Sequence, residues 1–248
     1  MLAVFKREFR SYFTNPLGFV ILAIFYFYSG ADFSIFFQSG RAYVEIVVVG
    51  IANAAIFIIP AITMRLFSDE RRTKTDQILF TAPVKPISIV LGKFFAALSL
   101  FAMGLLPTVI FEMIVASYVK VNVFYYLYSL VGILLFAAAV IAIGMFISAL
   151  TESPIIAIVF SLIVNYLVLT GNLVGLITVP LNAQHWYEKA WAWVAEQLIK
   201  LFEMLSFLPV LEGFAQRTFI LKDIIFFISM AIAFIFLTER ALEKRRWS

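Results

Sequence analysis

Met64-Arg65-Leu66-Phe67-Ser68-Asp69-Glu70-Arg71-Arg72-Thr73-Lys74-Thr75-Asp76-Gln77-Ile78-Leu79-Phe80-Thr81-Ala82-Pro83-Val84 is the one long polar interruption in the first two thirds of this chain. It continues to Gly92-Lys93, and apolar runs of about twenty residues or more flank it, each long enough to cross a bilayer. Arg65, Arg71, Arg72, Lys74, Lys85 and Lys93 outnumber Asp69, Glu70 and Asp76. So charged a segment is expected to stand in water, and its excess of Lys and Arg places that water on the cytoplasmic side. From Thr75 to Thr81 the pattern predicts a short helix. Thr75 can cap the first free amides, Asp76 meets the positive end of the dipole, and Ala82-Pro83 stops the helix.

Working outward, the composition fits a polytopic membrane protein: 63% of the 248 residues are hydrophobic and 14% charged, with a mean hydropathy of +1.01. The apolar residues come in runs rather than stripes. A net charge of +4 is modest and gives no reason to expect nucleic acid. With no Cys, disulfides, thiolate metal sites and palmitoylation are excluded. The start does not read as a cleavable leader, because the apolar run after it is too long.

Upstream, residues 1–14 form an amphipathic helix candidate. Leu2, Phe5, Phe9, Tyr12 and Phe13 share one face, and Lys6, Arg7 and Arg10 another, as suits a helix in the inner headgroup layer beside anionic lipid. Asn15-Pro16 is a cap and first-turn pair for a new helix. Spans are expected at about 17–37, 44–64, 94–116, 127–150, 155–171 and 221–238, with 65–93 as the cytoplasmic loop. Span four is dense in small residues such as Gly132, Ala142 and Gly144, which let helices approach closely in lipid. Ser153-Pro154 caps span five, whose far end is interrupted by Gly171-Asn172, Gly175 and Pro180. Residues 172–220 read as an outer amphipathic or re-entrant region, its Trp and Tyr content suiting the interface. The whole is one transmembrane domain, all-α, with both termini cytoplasmic. That arrangement puts thirteen of the nineteen bases inside.

Little in the chain carries chemistry. Gly92-Lys93 is not a P-loop: Phe94 follows where Ser or Thr is required, and Ile87 stands where the first Gly should be. His185 has Glu188 one helical turn away but no second clustered ligand, so no metal site is expected. No Ser has a recognisable base partner, and nothing argues for an enzyme. Of the few polar groups at membrane depth, Asn53 and Asn165 are candidates to line a path; a hydrogen bond between helices is the competing role.

Phe5-Lys6-Arg7-Glu8-Phe9, then Ser11-Tyr12-Phe13-Thr14-Asn15-Pro16, open a series of recognisable stretches. Glu70-Arg71-Arg72 follows, with Thr75-Asp76-Gln77-Ile78-Leu79, Ala82-Pro83-Val84 and Leu91-Gly92-Lys93. Together with Gly144-Met145-Phe146-Ile147-Ser148-Ala149-Leu150-Thr151-Glu152 and the basic tail, they resemble the permease subunit of ABC-2 type transporters. The branch associated with gliding motility is the nearest in pattern. Lys74 stands where the family usually has Gly, Asp76 where Glu is common, and Arg217 where the branch tends to have Gly.

The resemblance implies a dimer of six-span subunits, formed with a second copy or a paralogue. Each would rest on one of two cytosolic ATPase subunits that bind ATP and Mg; this chain would hold no cofactor of its own. Glu70, Arg71, Arg72, Thr75, Asp76, Gln77, Ile78, Leu79, Phe80 and Pro83 would couple to that ATPase. Phe5, Lys6, Arg7, Phe9 and Arg10 would belong to an interfacial connecting helix, and spans two and five would line the path. The expected function is ATP-driven transport, in the direction of export, at the cytoplasmic membrane. A membrane scaffold coupling ATP hydrolysis to envelope or gliding machinery is the alternative. The substrate is not legible.

Overall fold

The computed structural model of the chain describes residues 1–39, 44–75, 85–120, 122–170, 192–194, 196–197, 206–215 and 221–246. Among these the structure is helical, with no strand. In chain order the helices are α1 (Leu2–Thr14), α2 (Leu17–Gln38), α3 (Val44–Thr63), α4 (Ser68–Arg72) and α5 (Pro86–Gly104). They are followed by α6 (Leu106–Tyr118), α7 (Val123–Leu150), α8 (Pro154–Thr170), α9 (Leu208–Ala215) and α10 (Leu221–Arg246). Five stretches are long and apolar enough to cross a membrane: α2, α3 with the turn and α4 after it, α5 with α6, α7, and α10. The sixth apolar helix, α8, has 17 residues. The chain is an all-α polytopic membrane protein.

The first helix ends at Thr14, and α2 is capped by Pro16, one residue later than the Asn15 cap expected from sequence. Pro60 sits inside α3. α5 and α6 divide one long span at Leu105, two residues before Pro107, because a proline in a helix interior removes a backbone donor and clashes with the preceding turn. Asn122 caps α7 by accepting a hydrogen bond from the Phe124 amide at 3.0 Å.

The bundle is organised around α7 and α3. α7 packs most extensively against α10 and α3, and α3 also meets α2 and α8. Small residues on α7 permit this: Ala137, Ala139, Ala142 and Gly144 are buried, and a Cβ on Gly144 would collide with the Thr63 hydroxyl. Without a strong hydrophobic drive between helices in lipid, such close approach supplies the dispersion contacts that hold them. By contrast Phe19, Ile24 and Phe27 on α2, Ile110 and Met113 on α6, and Ile155, Phe160 and Ile163 on α8 are exposed on the bundle surface. That is the expected arrangement when the solvent is hydrocarbon.

One expectation is corrected. The polar loop does not run to Lys93: α5 begins at Pro86, capped by Lys85, so Lys93 lies inside a helix and is buried. Its charge is neutralised by acids from elsewhere in the chain rather than by water. Of the 172–220 region, expected as outer amphipathic or re-entrant, part enters the core. α9 packs on α3 and α7, Phe207 and Phe214 are buried, and Phe214 stacks on Tyr128 at 4.7 Å. The remainder of that region, with His185, Glu188 and Arg217, lies outside the described residues, except 192–194 and 196–197.

Candidate functional site: a charged junction at the foot of the bundle

The polar residues of the charged end converge on the turn between α3 and α4. Three attachments hold that turn. The first is a ring of four charges. Arg7 Nη2 lies 2.6 Å from Glu8 Oε1 and 2.8 Å from Glu70 Oε1. Lys93 Nζ closes the ring, 2.9 Å from Glu70 Oε1 and 3.5 Å from Glu8 Oε1. Signs alternate around the ring and the quartet is neutral. Lys93 is 1% exposed, while Glu8 and Glu70 are 14% and 18% exposed. A buried ammonium is tolerable only when its donors are all taken. Here they are, since Lys93 also donates to the Leu66 carbonyl and lies 4.9 Å from the centre of the Phe67 ring. The ring joins α1, α4 and α5.

Gly92 explains how the ring can close. α1 crosses α5 so tightly that a Cβ at Gly92 would sit 2.9 Å from Val4 Cβ and 3.1 Å from the Met1 carbonyl oxygen. The Gly92-Lys93 pair, which fails as a nucleotide loop, thus works as a fitting: a missing side chain admits α1, and the next residue reaches its acid. Tyr12 pins the other end of α1 by donating to the Ile62 carbonyl at 3.1 Å. Burial, and secondarily the Glu8 charge, push the Tyr12 phenol far above its ordinary range, so it remains a neutral donor. Desolvation works to lower the Arg7 pKa, but hydrogen bonds and charges from Glu8 and Glu70 outweigh it and leave the guanidinium above its ordinary value.

The second attachment is Ser148 near the end of α7. Its hydroxyl accepts from the backbone amides of Phe67 and Ser68, both at 3.2 Å, and donates to the Met64 carbonyl at 3.0 Å. Those amides open α4, where the first N–H groups of a helix have no internal acceptor; Ser148 supplies it from another span. In the third attachment, Arg71 donates to the Ala149 carbonyl at 3.1 Å and pairs with Glu152 at 2.8 Å. A cation at a helix C-terminus also meets the negative end of the dipole. Arg245 of α10 approaches the same Glu152 carboxylate at 3.8 Å. The five feet α1, α4, α5, α7–α8 and α10 therefore meet around one turn.

Beyond Arg72 the chain leaves the junction through a defined stop. Lys74 has φ of 56°. The Lys74 amide donates to Arg71 O at 3.1 Å and the Thr75 amide to Glu70 O at 2.9 Å. These are the paired bonds of a Schellman cap, whose left-handed position favours glycine. The lysine at this position costs strain; it does not loosen the turn. Of the coupling residues expected from sequence, Glu70 and Arg71 are drawn into the junction, Arg72 is exposed and lies 3.8 Å from Asp69, and Thr75 closes the cap. Asp76, Gln77, Ile78, Leu79, Phe80 and Pro83 lie outside the described residues. Phe5 and Phe9 of α1 stack at 5.7 Å and are half-buried, while Lys6 and Arg10 are exposed. The two path candidates separate: Asn53 is exposed on the surface of α3, and Asn165 is buried in α8. Among the described residues neither atom of the Asn165 amide has a hydrogen-bond partner, nor has the buried Ser161 hydroxyl one turn earlier.

A family model described as "ABC-2 family transporter protein" matches residues 9–238. The chain belongs to that family. The match extends from α1 into α10 and so contains Glu70, Lys93, Ser148 and Glu152; it names no branch within the family. No curated protein matches. An ABC-2 chain with these apolar helices is the membrane permease of an ABC transporter, a subunit type that is normally not catalytic.

Sequence reasoning passed over Glu8, Lys93, Ser148 and Glu152 as site residues. Lys93 carried a usable signal, as the only base within the apolar run from Ile87 to Ala116, directly after a glycine. Ser148 carried none, since its hydroxyl is indistinguishable in sequence from the small residues of a packing seam.

Proposed function

We propose that this permease serves an ATP-driven exporter of the cytoplasmic membrane, with both termini on the cytoplasmic side. Two separate cytosolic ATPase subunits bind ATP and Mg and press on segment 76–84. The observation that carries this reading is the ring of Arg7, Glu8, Glu70 and Lys93. It locks the two roots of segment 76–84, the α4 cap on one side and α5 on the other, to the interfacial helix α1. A load applied to that segment is passed to the spans as one body. Ile78, Leu79 and Phe80 supply the apolar contacts for the ATPase groove. A second permease copy or paralogue completes the path, and it gives the exposed Asn53 amide a setting other than hydrocarbon, where a polar group is costly.

The test is reconstitution with the ATPase. The chain alone should hydrolyse no ATP above background and should copurify with its ATPase. Leu79→Asp and Thr75→Pro variants should insert normally, because no span is touched, yet lose ATPase binding or uncouple hydrolysis from transport. Normal binding and transport by both variants would make segment 76–84 a mere connector.

A further inference from the structure

We infer that the outward flank of α1 is a binding site for an anionic phospholipid, in which Lys6 and Arg10 hold the headgroup phosphate and the neighbouring phenylalanines take its acyl chain. Three bases on α1 are differently employed. Arg7 is held by Glu8 and Glu70. Lys6 and Arg10 stand one helical turn apart, exposed, and among the described residues neither has an acidic partner. Together with Arg7, Ser11, Thr14 and Asn15 they line a shallow concavity at the elbow between α1 and α2.

The apolar half of the site adjoins these bases. Phe5, Phe9 and Phe13 run along the next flank of α1, with ring centres 5.7 and 5.3 Å apart, and all three are only half-buried. The run does not end with the helix. Phe13 meets Phe19 of α2 edge-on at 5.5 Å, and Phe19 is exposed on the same apolar surface as Ile24 and Phe27. A surface continuous with a membrane span lies at acyl-chain depth. The bases beside it, on long flexible stems, then stand at the level of the phosphates. Charge complementarity and this continuity favour a lipid over an acidic face of the ATPase, which would leave the half-exposed phenylalanines uncovered.

The experiment is native mass spectrometry of the full chain released from phosphatidylcholine nanodiscs doped with phosphatidylglycerol. The wild type should retain phosphatidylglycerol preferentially. Lys6→Gln/Arg10→Gln should lose that preference by roughly tenfold or more, since each base near the surface contributes measurably to anionic-lipid attraction. The control is Lys85→Gln/Lys244→Gln, which removes two other exposed bases and should retain the lipid. Equal loss in both variants would reduce the effect to overall charge and overturn the proposal. Unchanged retention in the first variant would overturn it too. If that variant instead lost ATPase copurification, the face would belong to the ATPase.

Discussion

Replacing Lys93 with methionine probes the junction at its most buried charge. The substitution keeps length and apolar stem but leaves Glu8 and Glu70 facing each other with only Arg7 between them, a ring of net charge −1. Arg7 compensates weakly because its side chain is 51% exposed. Removing one partner from a buried ion pair costs about 3–5 kcal/mol. The two acids keep some contact with water, so the lower end applies, about 3 kcal/mol. For a chain of this size, a loss of that order lowers the thermal midpoint by about 6–12 °C. The measurement is thermal unfolding of the detergent-purified chain, with hydrogen exchange along α1 as a local readout. Adding Glu70→Gln to Lys93→Met leaves the neutral Arg7–Glu8 pair. The double variant should therefore be less damaged than the two single losses added together, by about 1–3 kcal/mol of coupling. A Lys93→Met protein that unfolds with the wild type, or a double variant that is strictly additive, would refute the ring as a unit.

Ser148→Ala strands two buried amides, those of Phe67 and Ser68; at about 1–3 kcal/mol for an unsatisfied group, it should lower the unfolding midpoint and speed exchange at the start of α4. Lys74→Gly relieves the left-handed backbone of an L-residue, which costs about 1–2 kcal/mol, against the extra chain entropy of glycine. Slower exchange of the Thr75 amide is expected, and faster exchange in Lys74→Val. Tyr12 has its pKa raised in the folded state, so its contribution is intact below about pH 10, the ordinary tyrosine value. It is lost as pH rises further, because the unfolded state then ionises first. Stability measured from pH 9 to 11 should fall less steeply in Tyr12→Phe than in the wild type, at the expense of the bond to Ile62 at neutral pH. Asn165→Leu removes a buried amide that has no hydrogen-bond partner among the described residues; its midpoint should be unchanged or higher while transport falls, and a lower midpoint would show that the amide is a structural bond.

The spans were legible because hydrocarbon imposes a pattern that single residues cannot hide. Runs of apolar residues, Pro154 at a helix start and the two-faced 1–14 segment each correspond to a helix in the structure. The polar face of α1 was legible as a face, but not as two differently employed sets of bases. What divides Arg7 from Lys6 and Arg10 is Glu70, sixty-three positions away in sequence. Lys93 misled for a related reason. A lone base beside an apolar run is sensibly placed in water unless acids arrive from elsewhere, and neither Glu8 nor Glu70 announces that it will. Gly144 read correctly as a packing position, since absence of a side chain has one main use inside a bundle. Ser148, four residues on, has a use that depends on the backbone of another span.

For the coupling role proposed above, these attachments set what segment 76–84 would transmit. Its upstream root is Thr75, tied through the Schellman bonds to α4, and α4 is held by Ser148 and Glu152 to the end of α7. Its downstream root is Lys85, which caps α5, the helix that carries Lys93 into the ring. Glu70 belongs to the upstream side and Lys93 to the downstream side, and they are 2.9 Å apart. The two roots cannot separate without exposing an unpaired charge in a buried setting, at a cost of several kcal/mol. Only a movement that takes the end of α7 along with α1, α4 and α5 leaves all of these bonds intact. In the coupling role proposed above, a force on segment 76–84 would move α1, α4, α5 and the end of α7 as one body. Stiffness at this point comes from the four charges of the ring, the Ser148 hydroxyl and the Arg71–Glu152 pair, and the stretches of sequence that resemble the family contain them.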